Sequence, residues 1–389
     1  MVIPPKERRK HMTLNLAKKR KMIRKIAINF VGILLLAIGL SRLMTYDITA
    51  LVSPGERVID YHSSDFYQLV ANSRNERQLD TNIVLVSADS LSRMEIALLL
   101  NDVALCNPSA IGLDVMYGFA SDGDSLILEV LRQTPSLILP IGVEQWEDSA
   151  GWMTKEAYLL DDTDVEKRGV INLNIGSPYH VVRTFRPYYN TNKGRLPNFA
   201  TALVQMAAPE KLEHLQQVME EQENDAIHIN YDAREYETLY PSEVLQHPEM
   251  LENKIVLIGN LYDPQDFHIT PIDEYTSGLL IHAHALSTIL DETYPTPAPK
   301  WIHWLLSVLL CISFVVASAL SINYRAGNLF MRVFQLVLLL LVVLIGTMVF
   351  IYRHTIIELS FPLALIALGL LALDVWNGII GLFKIKQLS

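Results

Sequence analysis

The chain has 389 residues, of which 50% are hydrophobic, and a formal net charge of −10. This length suits one or two domains, and the apolar content indicates membrane segments beside them. Residues 1–25 carry a charge of +9 and residues 301–389 carry +3, so residues 26–300 carry −22. Such an acidic region argues against nucleic-acid binding, because phosphates need a basic surface.

The first predicted membrane span lies near the N-terminus. IAINFVGILLLAIGL, residues 26–40, contains no charge and follows a segment with ten Lys or Arg residues. A cleaved signal peptide is the alternative, because this apolar run is short for a span. No A-x-A cleavage site follows it, so we expect a retained helix over residues 26–45 and a basic cytoplasmic tail over residues 1–25.

Residues 46–300 form the predicted extracytoplasmic domain. Continuous apolar runs such as NIVLVSAD, AIGLDVMY, SLILPIGV and KIVLIGNL are separated by helix-like stretches, which is typical of a parallel sheet covered on both faces. GVINLNI and VVRTFRPYY alternate and predict antiparallel strands, and LPNFATALVQMAA predicts a helix with Pro197 in its first turn. The predicted fold is therefore α/β, with a mixed, mainly parallel sheet sandwiched by helices, plus four transmembrane helices.

Three further spans are predicted over residues 301–322, 333–352 and 358–380, each close to the length that crosses a bilayer. Arg325 and Arg332 follow the second span, and Lys384 and Lys386 lie in the final segment, residues 381–389. The positive-inside rule places these charges and both termini in the cytoplasm, while Arg353 opposes the rule. We expect a multi-pass protein of the plasma (inner) membrane.

One long segment resembles a known family. KIVLIGNLYDPQDFHITPIDEYTSGLLIHAHALSTIL is similar to the closing segment of the second type of CHASE domain, an extracellular sensory domain. IVLVSAD, AIGLDVMY, RGVINLN, LPNFATALVQ and IHINYD follow the family's order, so the resemblance covers about residues 80–295. It implies a sensory domain between one N-terminal and usually three C-terminal transmembrane helices. Family members usually continue into a cytoplasmic kinase or cyclase, whereas about ten residues follow the last predicted span here.

Candidate ligand-binding residues follow the predicted strands. Asp89 and Ser90 come after the first strand, Asp114 ends the second, and Asp266 and His268 lie in a loop after a later strand. Ligands of open α/β sheets bind at the carboxyl ends of strands, so we expect these five residues to line a pocket. Alternatively, the aspartates cap helices and turn amides, or two of them at adjacent strand ends hold a divalent cation. The spacing names no metal and no cofactor.

Two histidines lie on a predicted helix, and one acid lies in a predicted membrane span. His282 and His284 lie on a predicted helix that Ser277 and Gly278 open. They are about 200° apart on that helix, so they cannot chelate a metal together. We expect His282 to be packed and hydrogen-bonded and His284 to be partly exposed. Asp374 in the last span suits either a functional or an interfacial role.

The motifs leave two main functions open. The chain has no G-x-S-x-G, P-loop, glycine-rich dinucleotide turn or H-E-x-x-H motif, so we expect a protein that is not an enzyme. The first hypothesis is a membrane receptor that relays a signal to a separate cytoplasmic partner. The alternative is a structural or docking subunit of a cell-envelope complex. In both, the expected partners are the lipid bilayer and a separate protein, and family analogy adds a homodimer.

Overall fold

The computed structural model describes residues 62–145, 151–155, 167–175, 180–222, 225–321, 326–359, 361–363 and 365–367, together with Val31. It divides into two units. The α/β unit comprises Ser64–Pro297 and Arg353–Thr355, and the helical unit comprises Met1–Ser63, Ala298–Tyr352 and Ile356–Ser389. The predicted first span, apart from Val31, most of the predicted fourth span, and Asp374 lie outside the described residues.

The secondary structure alternates in the manner that the sequence predicts for an α/β domain. The helices are α1 (Ser63–Arg74), α2 (Arg93–Leu105), α3 (Asp124–Gln133), α4 (Phe199–Ala207), α5 (Lys211–Gln222), α6 (Gly278–Leu290), α7 (Lys300–Ser321) and α8 (Gly327–Arg353). Strands β1 to β6 are Gln78–Ser87, Ala110–Asp114, Leu137–Ile141, Val143–Gln145, Trp152–Thr154 and Arg168–Val170. Strands β7 to β12 are Asn174–Ile175, Val182–Phe185, Tyr188–Thr191, Gly194–Pro197, Ile227–His228 and Arg234–Leu239. Strands β13 to β17 are Ile255–Gly259, Phe267–His268, Thr276–Ser277, Thr296–Pro297 and Thr355–Ile356.

The central sheet has six parallel strands in the order β12-β1-β13-β2-β3-β6. Strand β13 therefore lies between β1 and β2, with Ile255 opposite both Ile83 and Ala110. Two smaller sheets, ordered β10-β9-β5-β4 and β11-β8-β7, contain most of the antiparallel pairs. The mainly parallel α/β fold is confirmed.

Helices cover both faces of the central sheet. Successive residues of β1 alternate between two cores, because side chains along a strand point to opposite faces. Val84 and Val86 are buried with residues of α2 and α3, whereas Ile83 and Leu85 are buried with residues of α4 and α6. This double burial explains why the strands read as continuous apolar runs.

Two local predictions were wrong, and one strand was not foreseen. Pro197 ends strand β10 rather than entering a helix, and Asn198 caps α4 by accepting a hydrogen bond from the Ala200 amide at 3.1 Å. GVINLNI begins in β6, which is parallel to β3, and only its β7 segment pairs antiparallel with β8. The edge strand β12 carries the polar sequence REYETL, which lacks the apolar run of a buried strand.

The helical unit contains two helices that are long and apolar enough to cross a membrane. These candidate spans are Lys300–Ser318 and Gly327–Arg353, and they correspond to the predicted second and third spans. The four-span prediction is thus supported by composition and length at two positions within the described residues.

Candidate functional site

Asp89 holds the turn that follows β13. Its carboxylate accepts hydrogen bonds from the amides of Leu261, at 3.0 and 3.2 Å, and Tyr262, at 3.0 Å, and from the Ser87 hydroxyl at 2.7 Å. Partial burial acts to raise the pKa of Asp89, but these hydrogen bonds outweigh it and leave the pKa below its usual value. Asp89 therefore performs the turn-capping role that was the alternative to ligand binding.

Asp114 ends β2 beside Gly259, the last residue of β13. A small part of the residue's surface is accessible to solvent, but protein atoms surround the carboxyl group. Among the described residues, the carboxyl group makes no hydrogen bond or ion pair. Burial, and then the negative charge of Asp266, raise the pKa of Asp114 to about 7. Asp114 is thus a carboxyl group that can exchange a proton near neutral pH.

Asp266 and His268 lie beside the start of α6. The 3-10 helix Pro264–Asp266 positions the Asp266 carboxylate so that Oδ2 accepts a hydrogen bond from the Gly278 amide at 3.1 Å. Its Oδ1 lies 3.4 Å from Nε2 of His268, and the His268 side chain is one quarter exposed, at 25%. Gly278 is required here, because a Cβ atom would lie 2.8 Å from Oδ1 of Asp266.

The two α6 histidines are both buried. His282 packs edge to face against Phe199, with ring centroids 5.2 Å apart, and hydrogen-bonds the Ile171 backbone, which confirms the prediction for it. His284 was predicted to be partly exposed, and this is wrong, since only 3% of it is exposed. His284 is buried because the strands of the α/β unit cover the α6 face on which it lies. Its Nδ1 lies 3.3 Å from the Tyr236 hydroxyl. Burial lowers the pKa of each imidazole to about 4.

The structure groups some predicted residues and separates others. The charge of Asp266 acts on both Asp114 and His282, and its carboxylate lies beside His268, so we call these four residues the strand-end cluster. Asp89 and Asp114 were expected at adjacent strand ends, but β13 lies between β1 and β2, so this expectation was wrong. Ser90 is exposed in a turn with φ of 63°.

The described residues do not place the strand-end cluster in a metal centre or in any of three cavities that they line. Among the described residues, no group of three or more His, Cys, Asp or Glu side chains could hold a metal ion. Three cavities formed by described residues lie elsewhere, including one of about 640 Å³ between the edge strand β12 and the loop that carries Tyr262 and Tyr275. What the cluster can do chemically is to exchange a proton at Asp114.

Comparison with known families agrees with this architecture. The family model described as "CHASE2 domain" matches residues 27–321, about three quarters of the chain. The chain belongs to the CHASE2 family. No curated protein and no solved structure matches it. CHASE2 is an extracellular sensory domain, and the match runs through the α/β unit and α7.

Helix α1 is joined to strand β8 by a buried ion pair. Arg183 of β8 donates from Nε and Nη2 to the two carboxylate oxygens of Asp65 on α1, at 2.8 to 3.2 Å. The side chains are only 5% and 8% exposed for Asp65 and Arg183, respectively. The sequence alone does not indicate this pair, because 117 residues separate the two partners.

Residues 229–231 connect α1 to the end of α6 within the CHASE2 domain. Gln68 of α1 donates from Nε2 to the Ile229 carbonyl at 3.2 Å and accepts from the Tyr231 amide at 3.1 Å. Between them, Asn230 donates from its backbone amide to the Thr288 hydroxyl at 3.0 Å and from Nδ2 to the Thr293 hydroxyl at 3.1 Å. We call this connection the 229–231 bridge. Its signal in the sequence is weak, since IHINYD looks like an ordinary alternating strand.

Proposed function

We propose that the chain is a membrane receptor, not an enzyme, whose CHASE2 domain detects a signal outside the cell and relays it to a separate cytoplasmic partner. One observation carries the proposal: the sensory-domain match extends through α7, and both α7 and α8 are long and apolar enough to cross a membrane. The acidic charge of residues 26–300 suits a domain held clear of anionic headgroups.

The relay begins where the chain enters and leaves the α/β unit. Helix α1 follows the predicted first span, and Thr293 begins the segment that leads toward α7. The 229–231 bridge joins them through hydrogen bonds at both ends. We propose that a displacement of α1 acts on Thr288 and Thr293 through this short segment, because hydrogen-bond networks can carry energetic coupling between sites.

A second contact extends the relay to residues 353–355. The Thr296 amide donates a hydrogen bond to the His354 carbonyl at 2.8 Å. Both residues belong to the α/β unit, although His354 directly follows α8. The segments that follow α6 and α8 are therefore fastened to each other, so movement of one acts on the other.

Crosslinking in native membranes tests this proposal. A photoreactive amino acid is placed at Asn328, an exposed residue in the first turn of α8 that we propose faces the cytoplasm, and separately at Ser242, an exposed residue of the α/β unit. We expect a cytoplasmic protein to be captured at Asn328, and mass spectrometry identifies it. Capture of a stoichiometric envelope protein at Ser242, with nothing captured at Asn328, would instead support the docking-subunit function.

A further inference from the structure

A separate cavity of about 300 Å³ lies between the β10-β9-β5-β4 sheet and the residues at the end of α5. Trp152, Tyr188 and Met219 provide its aromatic and apolar walls, and Asn190 adds a polar group. Two arginines, Arg186 and Arg195, also line it, so we call it the arginine cavity. None of these residues was predicted from the sequence to bind a ligand.

Strand register explains why these side chains converge. Tyr188 and Asn190 are alternate residues of β9, so they point to the same face of the sheet. Arg195 of β10 is directly opposite Asn190 in the antiparallel pair, which places it on that face as well. The hairpin thus presents an aromatic ring, an amide and a guanidinium side by side.

Arg186 is held in place by partners on two sides. Its Nη1 donates to Oδ2 of Asp225 at 2.8 Å, and its guanidinium lies 5.6 Å from the Trp152 ring centroid and 5.9 Å from that of Tyr189. Asp225 is 80% exposed, so solvent screens its charge and it only partly neutralises Arg186. The Nε of Arg186 is buried and donates to no acceptor among the described residues.

Arg195 is oriented without being neutralised. Its guanidinium carbon lies 4.0 Å from the Tyr188 ring centroid, a cation–π contact that leaves the edge of the guanidinium free to donate. No carboxylate lies within ion-pair distance of Arg195 in the part of the chain that the structure describes. Two arginines and one aspartate give the cavity a net positive charge within a region that carries −22.

We propose that the arginine cavity binds a small organic carboxylate. Guanidinium groups bind carboxylates through paired, charge-assisted hydrogen bonds, which Arg186 and Arg195 supply. Trp152, Tyr188 and Met219 pack against the apolar body of the ligand, and the volume is at the lower limit for a small-molecule site. This inference concerns binding alone and does not depend on the relay proposed above.

The test uses the full-length chain in detergent micelles and ligands matched in shape. Phenylacetate, benzoate and indole-3-acetate are each compared with the corresponding neutral amide by ligand-observed NMR and calorimetry. We expect at least one carboxylate to bind with a Kd below about 1 mM, and its amide to bind at least ~10-fold more weakly, since one charge-assisted hydrogen bond has about this effect.

Variants assign any binding to the cavity. Arg195→Gln is expected to weaken carboxylate binding by ~10-fold or more. Because Arg195 is exposed, its removal should leave the unfolding midpoint unchanged. Arg132→Gln, an exposed arginine in the last turn of α3, is the matched control and should bind like the original chain. Equal binding of acids and amides, no carboxylate with a Kd below about 1 mM, or unchanged binding by Arg195→Gln would each overturn the proposal.

Discussion

Asn230 donates a hydrogen bond from its side chain to the hydroxyl of Thr293, at 3.1 Å, just beyond the end of α6. The backbone amide of the same residue is bonded to Thr288, and its neighbours on both sides are bonded to Gln68 of α1. Asn230 therefore occupies the centre of the connection between α1 and the segment that follows α6.

Asn230→Ala should lower the free energy of unfolding of the α/β unit by about 1 kcal/mol, because one partly buried hydrogen bond is lost. Urea unfolding of the full-length chain, followed by near-ultraviolet circular dichroism, measures this change. Asn101→Ala, at an exposed position of α2, is the control and should change the free energy by no more than about 0.5 kcal/mol. Equal effects of the two substitutions would show that the hydrogen bond from Asn230 to Thr293 contributes nothing.

Asp65→Ala should destabilise the α/β unit far more, by about 3 to 5 kcal/mol, because it leaves the Arg183 guanidinium buried without its carboxylate partner. Glu235→Ala is a suitable comparison, since Glu235 pairs with Arg77 at 3.0 Å but the two side chains are 52% and 76% exposed. That exposed pair should contribute less than about 1 kcal/mol. Similar urea midpoints for the two variants would contradict the buried lock between α1 and β8.

Gly278→Ala should displace the Asp266 carboxylate, because the new Cβ would lie 2.8 Å from Oδ1 and 2.9 Å from Oδ2. The hydrogen bond from the Gly278 amide would weaken, and we expect a loss of about 1 to 2 kcal/mol in thermal or urea unfolding. Gly118→Ala serves as the control, since no atom lies within 4 Å of its added Cβ. If both variants unfold at the same denaturant concentration, the close contact at Gly278 is not a constraint.

Asp114→Asn should stabilise the domain in a pH-dependent manner. The pKa of Asp114 is raised to about 7 in the folded chain from its ordinary value of 3.8. The stability that its protonation supplies is therefore complete below pH 3.8 and is lost as the pH rises to about 7. The asparagine has no such dependence. Its stabilising effect relative to aspartate should therefore grow from about pH 4 to about pH 7 and stay constant above that. A constant difference across this range would contradict the raised pKa.

The sequence predicted the main strands because burial on both faces makes them continuous apolar runs, as in IVLIG of β13. It also predicted the start of α6, since Ser277 is a strong capping residue and its hydroxyl accepts from the Leu280 amide. The order of the strands in the sheet could not be predicted from the sequence. Insertion of β13 between β1 and β2 joins residues that are more than 140 positions apart in the chain, and it separates Asp89 from Asp114.

Contacts between elements that are distant in the sequence determine the burial of His284 and the placement of the two cavity arginines. His284 is buried because Tyr231 and Tyr236 lie over it, with ring centroids 5.2 and 5.3 Å away, and helical periodicity within α6 carries no information about those residues. The arginine cavity likewise depends on the β9 and β10 hairpin meeting α5. Residue type and spacing alone do not distinguish such side chains from ordinary solvated ones.

The relay is tested most directly by combining the crosslinker at Asn328 with Asn230→Ala in native membranes, with Asn101→Ala as the matched control. The yield of the captured cytoplasmic partner is measured at equal amounts of the full-length chain. If the CHASE2 domain communicates through the 229–231 bridge, Asn230→Ala changes this yield and Asn101→Ala does not. An identical yield for both variants and the original chain would contradict the relay.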